Sequence, residues 1–274
     1  AALSLYDVSN GALVASLFVY IAAFIVFAVA VTGRNFGKEE TRSERTARRA
    51  RLAFAAAVAA VALHLVYFVL RWIAGGHVPV TNLFEFLTFL SLMVGVAFLI
   101  VFSIYRKPLL GAFALPVAFV LLAYAMVFPW EAQPLIPSLN SVWLNLHVTL
   151  AAAGEAFFAI GFAAALMYLL RVIRYEGAAD RAQRIAMEII LLAALCVVGF
   201  LIANFSIRAN ALLWGAAIGA ALYALLWLLL RRPLGAVLQR MLKGIEPDDL
   251  DEISYRSVAI GFPIFTLGAL IFAM

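Results

Sequence analysis

LAFAAAVAAVALHLVYFVLRWIAGGHVPVTNLFEFLTFLSLMVGVAFLIVFSI, residues 52–104, is the stretch that decides the fold. Two apolar runs flank a short island of Gly, His, Pro, Thr and Asn. A helix rises 1.5 Å per residue, so about 20 apolar residues cross a hydrocarbon core of ~30 Å, and each run supplies that length. The island cannot continue a helix, so the chain leaves the slab, turns and re-enters. Asn82 is a good N-cap, and Glu85 three residues later completes a capping-box pattern. That reading leaves His77 and Pro79 without a role.

The same pattern extends to both ends of the chain. Of 274 residues 66% are apolar and only 13% charged, too few to cover the surface of a water-soluble domain. The expected fold is all-α, a polytopic transmembrane helical bundle forming one membrane-embedded domain over 1–274. Eight spans are read at roughly 11–33, 52–74, 83–104, 109–128, 142–170, 186–205, 211–230 and 257–274. The first of them serves for insertion, since no cleavable signal peptide is evident. The connections 34–51, 105–108, 171–185 and 231–256 carry 18 of the 20 Lys and Arg. By the positive-inside rule they are cytoplasmic, which puts the N-terminus and the 75–82 island outside. The net charge of +5 is therefore a topology signal, and no nucleic-acid partner is expected. A single cysteine, Cys196, excludes an internal disulfide and a Cys-x-x-Cys motif within these residues. The eighth segment reaches Met274 with no basic anchor behind it, as expected of a chain that continues.

Ionisable groups inside a bilayer are costly and mark functional sites by default. His147 stands about 8 Å down the fifth span, near the outer interface. It is either a metal or haem ligand or a histidine bonded to a neighbouring helix. His64 lies near mid-membrane, as a buried neutral histidine or an internal ligand. Arg71 lies on the same helix face, two turns nearer the outside, where it snorkels or pairs with a carboxylate. Glu155, deeper on the fifth span, is expected to be protonated or paired, and Glu188 to be a first-turn helix acid. Trp72, Trp130 and Trp143 gather at the outer interface as an aromatic belt or as the wall of a flat apolar site. The Gly215/Gly219 pair reads as close helix packing or as a dimerisation face.

Three blocks carry a resemblance: RWIAGGHVPVTNLFEFLTFLS at 71–91, SVWLNLHVTLAAAGEAFFAIGF at 141–162 and LDEISYRSVAIGFPIFTLGALIFA at 250–273. In this order they resemble the haem-handling subunit of the Ccs/Res-type (System II) cytochrome c synthase. The resemblance implies cytochrome c biogenesis at the bacterial cytoplasmic membrane, with the functional face toward the periplasm or cell exterior. Haem b is then the substrate, presented for attachment to the Cys-x-x-Cys-His motif of an apocytochrome c beside a Res-type partner subunit. Catalysis, if any, belongs to that two-subunit haem lyase, and no catalytic residue is assigned. His147 matches the family's first external haem-ligating histidine, in its WLxxHV context. His64 is carried as a possible transmembrane haem site, Arg71 and Arg208 as partners of haem propionates, and Trp143 and His77 as part of the shelf around the haem. The family's tryptophan-rich haem-binding segment is expected directly after the eighth segment. The spans at 186–230 have no counterpart in many relatives and no assigned role. Two other readings stay open: a haem exporter without ligation activity, and a structural subunit of a respiratory membrane complex.

Overall fold

The computed structural model describes residues 4–32, 39–131, 141–171, 181–206, 210–225, 228 and 246–271. They form helices α1 (Leu5–Thr32), α2 (Glu39–Gly75), α3 (Leu83–Tyr105), α4 (Pro108–Ala125), α5 (Val142–Arg171), α6 (Arg181–Ser206), α7 (Ala211–Leu225) and α8 (Pro247–Thr266). A π-helical turn, Leu267–Ile271, extends α8, and no strand occurs among the described residues. Six helices are long and apolar enough to cross a membrane, while α6 and α7 contribute the shorter apolar stretches Glu188–Phe200 and Leu212–Leu225. The chain is an all-helical membrane protein.

Helices α1, α2, α6 and α8 start earlier than the hydropathy spans, and at α1 and α8 end chemistry rather than apolarity begins the helix. At α1 the Ser4 hydroxyl accepts from the Asp7 amide at 3.1 Å, and Asp7 Oδ2 accepts from the Ser4 amide at 3.0 Å, a reciprocal capping box. At α8, Pro247 opens the helix with Asp248 and Asp249 in the first turn, where the helix dipole favours acids.

The residues fall into two compact units: Ala1–Leu166 with Asp248–Met274, and Met167–Pro247. In the first, α1 packs on α2 and α4, and α3 packs on the same two helices. Helix α3 is the most enclosed, and Phe27, Phe98, Leu115 and Leu122 are buried in the core it shares. Hairpin ends are set locally. Gly76 closes α2 with φ +71°, its amide donating to the Trp72 carbonyl at 2.9 Å. At the opposite end Arg106 takes φ 50° in the α3–α4 turn.

One buried ion pair ties the α2–α3 end together. Arg71 Nε donates to Glu85 Oε1 at 3.0 Å, and the two side chains are 2% and 4% exposed. Glu85 Oε2 accepts from the Thr81 amide at 3.1 Å and the Thr81 hydroxyl at 2.9 Å. Arg71 Nη1 donates to the Trp130 carbonyl, beyond α4, at 3.1 Å. Asn82 caps α3 as expected, accepting from the Glu85 amide at 2.9 Å. The carboxylate, however, does not return to the cap residue as a capping box requires. It serves Arg71 and Thr81 instead, because a buried guanidinium needs a counter-ion more than a cap needs a second bond.

Helices α5 and α8 run antiparallel through glycines. A Cβ on Gly154 would lie 2.6 Å from Phe265 Cβ, one on Gly261 2.9 Å from the Gly154 carbonyl, and one on Gly268 2.8 Å from the Ala151 amide. Ser254 Oγ donates to the Gly161 carbonyl at 3.2 Å along the same seam. Lys107 pairs with Asp249, registering the start of α8 at the α3–α4 turn. In the second unit α6 and α7 meet as closely: a Cβ on Gly219 would lie 2.4 Å from Cys196 Cα. Gly215 and Gly219 thus serve packing within the chain. Tyr223 Oη donates to Glu188 Oε2 at 2.9 Å, so Glu188 joins these two helices.

Removing one partner of a buried pair strands the other charge, so Glu85→Ala is expected to destabilise by about 3–5 kcal/mol. Arg71→Lys is expected to recover little, since an ammonium lacks the fork that reaches Glu85 and Trp130 together. Thermal unfolding in detergent measures both, and a Glu85→Ala midpoint equal to wild type contradicts the assignment. Gly154→Val overpacks the α5–α8 seam and is expected to cost about 1–3 kcal/mol in the same assay, where no loss would disprove the close approach.

Candidate functional site

The candidate site lies on residues at the α2–α3 end of the first unit. Arg71 at the end of α2, Glu85 at the start of α3 and Trp130 after α4 meet there, and Tyr6 of α1 lies over the guanidinium at 5.8 Å. Helix α8 starts at the other end, beside Lys107, and about 30 Å of helix carries its far end back. The antiparallel α5 therefore starts at the α2–α3 end, and with it His147.

His147 Nδ1 lies 2.8 Å from the Gly268 carbonyl. A carbonyl only accepts, so Nδ1 carries the proton and Nε2 keeps its lone pair. The acceptor belongs to the π turn that follows Pro263, where helical bonding is already loosened. Gly268 brings the backbone this close because any side chain would strike Leu150 and Ala151. The imidazole is half-buried. A fixed tautomer, a held ring and one free nitrogen are the attributes of a metal-ligating histidine.

His77 repeats the arrangement on the island. Its Nδ1 faces the Val78 carbonyl at 3.0 Å, leaving Nε2 near the end of α2, 3.4 Å from where a Cβ on Gly75 would sit. Pro79 and Val80, which follow it on the island, are buried. The aromatic groups divide. Trp130 stacks on Phe84 (centroids 6.2 Å, 14° between planes) and donates its indole N–H to the Met126 carbonyl at 2.8 Å, while Trp72 and Trp143 are exposed.

Arg71 is more fully engaged than its sequence position suggests. Beyond Glu85 and Trp130, its face lies 5.0 Å from the Phe84 ring, and its Nη2 is buried without a hydrogen-bond partner. His64 is fully buried between Tyr20 and Tyr67, at ring distances of 6.0 and 5.9 Å. Arg208 lies outside the described residues. Glu155 is half-buried on α5.

Three participants carry no sequence signal of their own. Thr81 reads as a loop residue, Tyr6 precedes the first apolar run and Gly268 reads as helix packing. Glu85 does carry one: Arg71 stands one turn before the end of α2 and Glu85 in the first turn of α3, so a tight antiparallel hairpin sets them at equal depth.

Residues 80–271, well over half the chain, match the family model described as Cytochrome C assembly protein. Similar proteins include the cytochrome c biogenesis protein CcsA of Pyropia yezoensis, 27% identical over 72% of this chain and 56% of the relative. That of Crocosphaera subtropica is 28% identical over 72% and 58%, respectively. A third, from Gloeothece citriformis, is 38% identical over 36% of this chain and 31% of its own length. The chain thus spans a little over half the length of the longer-matching relatives. The matched region holds Glu85, His147 and Gly268, and a match of that extent makes this chain a member of the cytochrome c assembly protein family.

Proposed function

We propose that this chain takes part in cytochrome c biogenesis by holding haem b at its α2–α3 end and presenting it for attachment to apocytochrome c. The observation that carries this reading is the His147 imidazole, with Nδ1 committed to the Gly268 carbonyl and Nε2 left as a lone-pair donor. One imidazole is a poor site for a bare metal ion, which needs several protein ligands. It suits an iron that arrives inside a macrocycle and asks the protein only for axial ligands.

In this reading the α2–α3 end faces the cell exterior or periplasm of a bacterial cytoplasmic membrane. Support comes from basic residues at the opposite end of the first unit, Arg48, Arg49 and Arg51 in the first half of α2 and Arg106 and Lys107 in the α3–α4 turn. The island with His77, the Phe84–Trp130 stack and exposed Trp143 then border a flat apolar ligand. The burial of Arg71 supports a role in fixing that border from beneath, and Arg208 keeps its sequence-based role toward a propionate. Thioether formation adds each substrate thiol across a haem vinyl group. What the chain contributes is orientation: iron held at a fixed depth, vinyl edges toward the incoming thiols. A Res-type partner subunit and the Cys-x-x-Cys-His segment of apocytochrome c complete the assembly.

The test is the optical spectrum of the full-length protein purified with its haem. His147→Ala is expected to lose the low-spin haem bands, and added imidazole to restore them, while cytochrome c yield falls at least about tenfold. An unaltered spectrum in His147→Ala removes His147 as the ligand. Haem held normally by a protein that never supports cytochrome c formation with its partner would instead indicate an exporter.

A further inference from the structure

A second polar group lies deeper among α1–α3, and the proposed function does not use it. Tyr20 and His64 are 0% exposed, and Tyr67 and Thr88 1%. Two of these four are satisfied: Tyr67 Oη lies 3.3 Å from Thr88 Oγ1, which donates to the Glu85 carbonyl at 2.9 Å. The other two are not. Tyr20 Oη, His64 Nδ1 and His64 Nε2 are all buried without a hydrogen-bond partner. The Thr88 main chain lies beside one edge of the imidazole.

Three orphaned polar atoms on two touching side chains need an explanation, since native cores keep very few. The position of Tyr20 is built in, because α3 is shaped around its hydroxyl. Gly95 has no side chain there, and a Cβ would lie 2.4 Å from Tyr20 Oη and 3.0 Å from Val61 Cγ2. The hydroxyl therefore sits in a notch made by a missing methyl group.

We propose that one water molecule, buried within the α1–α4 bundle, bridges the Tyr20 hydroxyl held at Gly95 and one ring nitrogen of His64. A water offers two donors and two acceptors, so it can serve the phenol and one imidazole nitrogen together, while the other nitrogen is left to the Thr88 main chain. The site continues the line of polar groups that begins at Arg71 and Glu85 and passes through Thr88 and Tyr67. It also ends that line, because the core beyond is the aromatic cluster of Phe27, Phe98 and Phe102, with ring centroids 5.2–5.8 Å apart.

The test is a double-mutant cycle on the full-length protein in detergent, using Tyr20→Phe, His64→Leu and both together. Each single variant strands the water or the remaining group, so each unfolding midpoint is expected to fall by a few degrees, and the double variant to fall by less than their sum. If the groups have no ligand, each single variant relieves a penalty instead: midpoints rise and the shifts add, which overturns the proposal. Should His64→Leu fail to accumulate, His64→Gln keeps a donor and an acceptor and is expected to stay close to wild type. A glutamine variant as unstable as the leucine one overturns the proposal too. The haem spectrum is expected to be unchanged by His64→Leu, and its loss would assign His64 to haem rather than to water.

Discussion

A guanidinium that cannot reach water needs a counter-charge, and Arg71 finds its own in Glu85, fourteen residues on across a hairpin. The arrangement of α2, α3 and the segment after α4 follows from that requirement. The carboxylate that neutralises Arg71 also holds Thr81, so the island cannot swing away from α3. The guanidinium that holds Glu85 also holds the Trp130 carbonyl, so the segment after α4 is tied to the end of α2. Two side chains thereby set the position of three helix ends, and the aromatic rings around them keep out the water that would weaken the pair. A buried ion pair contributes less net stability than its geometry suggests, because desolvation of both charges offsets most of the attraction. Its value here lies in location: few other arrangements of these segments satisfy both charges.

Close backbone approach plays the corresponding part for His147. Glycines on α5 and α8 let the helices touch, and that contact brings the Gly268 carbonyl to the imidazole. The ion pair and the glycine seam are separate devices on different helices. They act at the same end of the unit because α8 begins beside Lys107 and runs back. A histidine with one ring nitrogen committed to the main chain and a rigid aromatic border thus arise from topology and two local contacts, with no catalytic cluster among the described residues.

Much of this was legible beforehand. Apolar run lengths give eight helices, and the Asn82 cap and the Gly76 turn follow from residue type. The eight segments were harder to bound at α1 and α8, where Ser4, Asp7 and Pro247 start helices in polar sequence that a hydropathy reading assigns to loops. Arg71 could be seen to need a carboxylate, but Glu85 was already explained as a cap, and one adequate role hid the second. The Nδ1 partner of His147 could not be read at all. It is a main-chain carbonyl more than a hundred residues away, and main-chain groups leave no mark in residue identity. Tyr20 is equally silent, since its meaning depends on Gly95 lying opposite, which only the packing of α1 on α3 reveals.

The central claim is that His147 binds iron through Nε2 while Nδ1 donates to Gly268. Pulsed electron paramagnetic resonance of the ferric haem, in full-length protein containing 15N-histidine, tests it most directly. The account predicts 15N hyperfine coupling from the His147 imidazole, lost in His147→Gly and replaced by a 14N signal when unlabelled imidazole is added. Couplings that persist unchanged in His147→Gly would contradict it.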